Sequence, residues 1–215
     1  MSSEKAEIKA CVCHWLGELA DDSMSAAGFT RRRNSLTYRR ETEDAIQKIE
    51  VAIEHHPSED PNAAAAVYPQ YIVAMGTVNK TVETMTGGNA QLGGQFDITL
   101  RGPIEWTSPK GVGARWHIYQ PDSVPDIVSS FRGFVARWTI PFLDRFSRLR
   151  DLCNATLKGD DREIHSQMEV LRVVAAKSLC GRDAEALEVM EEWFGAPGPR
   201  KRYGPVFEYL ANRLS

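Results

Sequence analysis

An α+β fold is the class this sequence predicts: an antiparallel β-meander covered on one face by helices, followed by a C-terminal helical lobe. Three observations carry the expectation. Residues 4–27 repeat apolar side chains at helical spacing. From Phe29 to Tyr119 the period shortens to two, and beyond Ser123 helical spacing returns and persists to the end. Helix, strands, then helices is the order of an α+β domain rather than of alternating βαβ units.

The first helix is drawn by Ile8, Val12, Trp15, Leu16 and Leu19, and Gly28 is placed to end it. Phe29–Arg33 and Leu36–Arg40 flank the turn candidate Asn34-Ser35. With that turn, Arg33 faces Leu36, Arg31 faces Tyr38 and Phe29 faces Arg40, so Phe29, Leu36 and Tyr38 share one face and Thr30, Arg32, Thr37 and Arg39 the other. Ile49–Glu54 alternates as a third strand, Asp60-Pro61-Asn62 reads as a turn, and Tyr71–Met75 as a fourth strand. Gly87-Gly88 and Gly93-Gly94 bracket a loose segment. A fifth strand is expected with Phe96, Ile98 and Leu100 inward, Asp97, Thr99 and Arg101 outward, and the same phase running through Ile104 and Trp106. After a turn over residues 107–113, Arg115–Tyr119 reads as a sixth, with Trp116 and Ile118 inward.

The helical half opens at Ser123, which with Asp126 resembles a capping box, Asp being shorter than the usual Glu. Val124, Ile127, Val128, Phe131, Val135 and Trp138 form its stripe, and Pro141 predicts a kink or a new helix. Further helices are marked by Phe142 to Leu152, by Ile164 to Val174 with Gly181 as cap, by Ala186 to Trp193, and, after a stiff Pro197–Pro199 link, by Val206 to Leu214. Residues 175–194 resemble a single degenerate tetratricopeptide hairpin, too few to stack a solenoid. This organisation predicts an α+β sheet domain over residues 1–150 and a helical lobe over 151–215, with the first helix and the 124–138 helix covering the sheet.

The chain has 215 residues, 42% apolar and 26% charged, with a formal charge of −3. Such a balance argues against a surface built throughout for polyanions. The first ten residues are polar and no apolar run approaches the roughly twenty residues of a membrane span. A cytoplasmic location with reduced thiols at Cys11, Cys13, Cys153 and Cys180 is therefore expected.

Motifs of known chemistry are sparse. Cys11 and Cys13 lie two apart on a helix and point to nearly opposite sides, so they do not share a metal, and no second ligand pair stands at zinc spacing. His55-His56 ends a strand with its two side chains on opposite faces. There is no G-x-S-x-G elbow, and Gly111-Val112-Gly113 lies between strands without a following helix and lysine. Asp160-Asp161 and Glu191-Glu192 fall at helix ends, the first pair as a cap on the helix dipole. No catalytic residue, cofactor or metal is assigned.

The segment TRRRNSLTYRR, residues 30–40, puts five arginines in eleven positions. Its wider neighbourhood, 29–60, nevertheless holds seven acidic against six basic residues, so cross-strand ion pairing competes with phosphate binding. The outward residues of the later strands, Thr99, Arg101, Glu105, Arg115, His117 and Tyr119, form a polar sheet face, joined by Arg32 and Arg39 if the first hairpin shares the sheet. Of these, Arg32, Arg39, Arg101, Arg115, His117 and Tyr119 are the binding candidates, because arginine and tyrosine dominate interface hot spots.

Gly28, Phe29, Arg31, Tyr38 and Arg39 after an N-terminal helix, with Pro141, Phe142, Leu143 and Asp144 before the helical tail, resemble a bacterial domain-of-unknown-function family, number forty-three-oh-four. The likeness spans roughly residues 10–195, with Asn34-Ser35 where the family usually carries a glycine in the first turn. The family implies no activity and no catalytic residues. Its likeness to small α+β immunity partners of secreted toxins implies protein binding. Three readings follow: a non-enzymatic binder of another protein, of immunity or accessory type, using the outer sheet face; a nucleic-acid-binding module using the arginines of 31–40 and the same face; and an enzyme of unfamiliar type centred on His117 with Arg101 or Arg115. The residues favour the first.

Overall fold

The computed structural model describes residues 2–109, 112–159 and 163–215. The fold is α+β, with an open antiparallel sheet of six strands and a helical C-terminal region. The N-terminal helical stretch is two helices, α1 (Ser2–Leu19) and α2 (Asp21–Ala26), divided at Ala20. Gly28 at φ 81° then turns the chain into the sheet, a conformation that costs a residue with a Cβ about 1 kcal/mol or more.

The strands are β1 (Thr30–Arg31), β2 (Thr37–Glu41), β3 (Ile46–His55), β4 (Ala65–Ala74), β5 (Leu100–Pro103) and β6 (Trp116–Ile118). They run in the order β1-β2-β3-β4-β5, with β6 also paired to β4. Arg31 stands opposite Tyr38 and Thr30 opposite Arg39, the register expected from the sequence. The turn is wider than two residues: the Ser35 amide donates to the Arg32 carbonyl at 2.8 Å and the strands stop short of it.

Several elements depart from expectation. β4 begins six residues before Tyr71 and runs through Pro69. The chain then forms a helix, α3 (Gly76–Met85), over residues that carried no expectation, and a single turn, α4 (Ala90–Gly93), within the segment expected to be loose. β5 begins only at Leu100; Phe96 and Ile98 lie outside it and are half-buried. Residues Ile104–Thr107 form a 3-10 turn rather than more strand, which leaves Trp106 46% exposed. Pro141 does not break its helix. α5 (Val124–Phe134) passes through a π-helical turn, Val135–Thr139, into α6 (Ile140–Asp144). A proline clashes with the carbonyl four residues back, here Arg137, and the wider π turn falls on that residue. Ser123 makes no side-chain cap for α5; its hydroxyl donates to the Gln120 carbonyl instead. The remaining helices are α7 (Leu149–Cys153), α8 (Gln167–Leu179), α9 (Asp183–Phe194), α10 (Pro197–Arg202) and α11 (Gly204–Leu214), so the expected proline link is itself a helical turn. Asp160 and Asp161 lie outside the described residues.

The chain folds as two compact units. The first gathers Met1–Glu41, Ile46–Ile72 and Arg101–Asp144. Its core sits between the sheet and α5: Phe131 stacks on Tyr38, and Trp116 meets Phe131 and Phe134 edge-on. α1 packs on α5, and Tyr71 meets Phe142 of α6 with ring centroids 5.0 Å apart.

The second unit gathers Thr42–Ala45, Val73–Leu100 and Arg145–Ser215. α8 is its centre, buried from Val170 to Ala176 and packed by α3, α4, α7 and α9. Six of the seven residues from Val170 to Ala176 are apolar, so most of the helix circumference can be covered there. Ser166 and Glu169 close a reciprocal capping box at its start. The buried Arg172 donates to the carbonyls of Met168, Gln95 and Ile98, and burial pulls its pKa down to about 10.

Candidate binding face

The arginine run resolves first, because the fold assigns most of it to structure. Arg31, on the inward face with Tyr38, is 2% exposed at its side chain. Its guanidinium holds both carboxylate oxygens of Asp21, at 2.9 and 2.7 Å, and the carbonyls of Arg33 and Ser35, each at 2.9 Å. Tyr38 donates its hydroxyl to the same carboxylate at 2.7 Å. Burial pushes the Asp21 carboxyl up, but the hydrogen bonds from Arg31 and Tyr38 outweigh it and the net shift is downward. Arg40 lies over the Phe29 ring, 4.5 Å from its centre, and donates to Gln47, the Ala27 carbonyl and Asp144. Arg39 is exposed and pairs with Glu41 at 2.5 Å. Arg32 and Arg33 remain exposed in the turn, and neither pairs with a carboxylate among the described residues.

The outer face is set by the register of β4 with β6. Val67 faces Trp116 and Ala65 faces Ile118 on the core side, so the buried Ala66 and the half-buried His117 lie on the opposite face, where the exposed Arg115 and Tyr119 follow by the two-residue period. Arg115 sits 5.4 Å over the ring of Tyr68 and donates to Glu59 at 2.8 Å. Tyr119, 53% exposed, donates to Asp60 at 2.6 Å. The His117 ring lies between them in sequence, 6.3 Å from that of Tyr119, with its Nε2 buried and lacking a hydrogen-bond partner among the described residues. Glu59 and Asp60 both come from the β3–β4 turn. Glu59 is lowered by its own backbone hydrogen bond and by Arg115; Asp60 is lowered chiefly by Tyr119, whose own hydroxyl is raised in return. Both carboxylates are therefore ionised at neutral pH.

The structure thus brings Arg115, His117 and Tyr119 together beside Tyr68, Glu59 and Asp60. Arg101 extends the face along β4, donating to Gln70 at 2.9 Å. Arg39 lies on β2, three strand spacings from β6, about 14 Å away. Arg32 stands in the hairpin turn, outside the strand register. Two further sequence candidates leave the face. Thr99 is 1% exposed, accepting from the Met75 amide and donating to Asn79, and Glu105 sits in the 3-10 turn.

Sequence reasoning missed Tyr68, Glu59 and Asp60 as parts of the cluster. Tyr68 precedes Pro69, which masked the first half of β4; the strand-favouring Val67, Tyr68 and Tyr71 were the signal available. Two concavities of about 680 and 520 Å³ flank α1 and the hairpin, sharing Lys9 and Asn34; neither is lined by Arg101, Arg115, His117 or Tyr119. No group of three His, Cys, Asp or Glu side chains suited to a metal occurs among the described residues. Among those residues no helix is long and apolar enough to cross a membrane. Comparison with family models, curated proteins and solved structures returns no match to this chain.

Proposed function

We propose that this chain is a non-enzymatic accessory or immunity-type factor that binds another protein through the outer face centred on Arg115, His117 and Tyr119. One observation supports the reading above others: the arginine and the tyrosine are already fixed, Arg115 between Tyr68 and Glu59, and Tyr119 by Asp60. Side chains held before contact lose little entropy on binding, and arginine and tyrosine are the residues that carry hot spots. Arg115 and Tyr119 are exposed beside the half-buried His117 and present both signs of charge with Glu59 and Asp60, which suits a partner of mixed charge. The sequence resemblance to a family of uncharacterised bacterial proteins, and a cytoplasmic setting, belong to the same proposal.

The test is recovery of a partner by tagged protein from cells of the source organism, comparing the wild type with Arg115→Ala/Tyr119→Ala. Loss of two hot-spot residues predicts a fall in affinity on the order of a hundredfold. Equal recovery by both forms, with the variant shown folded by circular dichroism, contradicts the proposal.

A second reading, nucleic-acid binding, draws on Arg32, Arg33 and Lys9, exposed cations that no carboxylate neutralises among the described residues. Three phosphate contacts give a salt slope of only about −2 on a single strand. That is a weak grip, and it places this reading second. A labelled oligonucleotide at low salt decides it: tight binding lost in Arg32→Ala/Arg33→Ala would promote it.

A further inference from the structure

The two concavities beside α1 and the hairpin meet at a shared ridge, and the arginines of the turn divide between them. Lys9 and Asn34 line both. Arg33 lines the larger, of about 680 Å³, and Arg32 the smaller, of about 520 Å³. Both volumes fall within the range of about 300–1,000 Å³ usual for small-molecule sites. Arg31 fixes the ground between them. Its side chain is 2% exposed, and Asp21 cancels its charge. It takes the carbonyls of Arg33 and Ser35 at 2.9 Å and that of Arg32 at 3.5 Å. The negative ends of those three peptides are thus turned to Arg31, while the side chains of Arg32, Arg33 and Asn34 are exposed. Among the described residues, Glu18 is the one carboxylate besides Asp21 that lines either hollow, against the cations Lys9, Arg32 and Arg33. Glu18 is nine residues from Lys9 on α1, about 13 Å along the helix, so the cationic end is the ridge.

We propose that this pair of hollows binds a small organic phosphate carrying two phosphate groups. Lys9 and Asn34 hold the phosphates at the ridge, Arg33 takes one from the larger hollow and Arg32 the other from the smaller. The organic body lies in the larger hollow, along α1 toward Glu18. Two anionic groups fit because the arginines are split between two hollows, whereas a single phosphate reaches Lys9 and one arginine. Each arginine offers a fork matched to phosphate oxygens, and the lysine a point charge.

The turn is held by Arg31 before a ligand arrives, so binding orders side chains and leaves the backbone as it is. The same three cations carry the weaker nucleic-acid reading, but the hollows add what an extended strand does not use: a concave space for a compact body. None of Arg101, Arg115, His117 and Tyr119 lines either hollow, so this site and the outer sheet face stand or fall separately.

The experiment is isothermal titration calorimetry of the full chain at low salt with orthophosphate, pyrophosphate and adenosine diphosphate as probes. Pyrophosphate should bind about tenfold more tightly than orthophosphate, and Arg32→Ala/Arg33→Ala should remove at least that factor. Ala10→Phe, at an exposed position of α1, fills the larger hollow; it should weaken adenosine diphosphate and leave pyrophosphate unchanged. Pyrophosphate that does not saturate, that binds no more tightly than orthophosphate or that ignores the double substitution overturns the proposal, as does adenosine diphosphate indifferent to Ala10→Phe. A single-stranded oligonucleotide that displaces adenosine diphosphate at equal phosphate concentration, and is itself indifferent to Ala10→Phe, also overturns it and returns the cations to nucleic acid.

Discussion

Arg31 shows how much a single side chain is asked to do. It closes the hairpin turn from inside by collecting the carbonyls of Arg33 and Ser35 while Asp21 neutralises it. Arg31→Ala should cost about 2–4 kcal/mol, since it orphans those carbonyls and leaves Asp21 with Tyr38 alone. Arg31→Lys should recover only part of this, a single ammonium being unable to span the same fork. Urea denaturation of the three forms measures both. The acid side has a definite sign. The Asp21 carboxyl is depressed in the folded state, so its stabilisation is complete above the unfolded carboxylate range, around pH 4, and disappears as pH falls through the lower folded value. Wild type should therefore lose stability below about pH 4 more steeply than Asp21→Asn; parallel curves would remove this group as the cause.

Elements were legible where local pattern and burial agreed. The β1–β2 register could be read because Phe29 and Tyr38 had to face the core while Thr30 and Arg39 did not, and a one-residue slip would have inverted every side chain. α3 was not legible: Thr77, Val78, Thr81, Val82 and Thr84 are β-branched and poor helix formers, and the helix forms because Val78, Val82 and Met85 are buried against neighbours the sequence does not name. The candidate site was half legible. Alternation put Arg115, His117 and Tyr119 on one face, but their carboxylate partners come from a turn 56 to 59 positions earlier, a separation no local rule spans. Two substitutions test the elements directly. Ser166→Ala removes one arm of the α8 capping box and should cost about 1 kcal/mol. Gly102→Ala would bring a Cβ to 2.5 Å from the Trp106 ring and 3.0 Å from the Tyr71 hydroxyl, and should cost about 1–3 kcal/mol by thermal or chemical denaturation.

At the scale of the whole molecule, charge and placement point the same way. The chain is nearly neutral, with a formal charge of −3, and Arg31, Arg39, Arg40 and Arg115 are each matched to a carboxylate of the same unit. Little net field is left to steer a polyanion. Partner binding should consequently fall by less than about tenfold between 50 and 200 mM salt, where a protein contacting six or more phosphates would lose a thousandfold. All six sequence-derived binding candidates belong to the first unit. The most direct measurement places a photo-cross-linking phenylalanine analogue at Ser58, an exposed position beside Glu59 that leaves Arg115 and Tyr119 intact, and at Leu214, 49% exposed in the second unit, as reference. Irradiation in cells of the source organism should yield one discrete protein adduct from position 58, abolished by Arg115→Ala/Tyr119→Ala, and none of that mass from position 214. The same adduct from both positions, or an adduct at 58 that survives the double substitution, would contradict the outer sheet face as the binding surface.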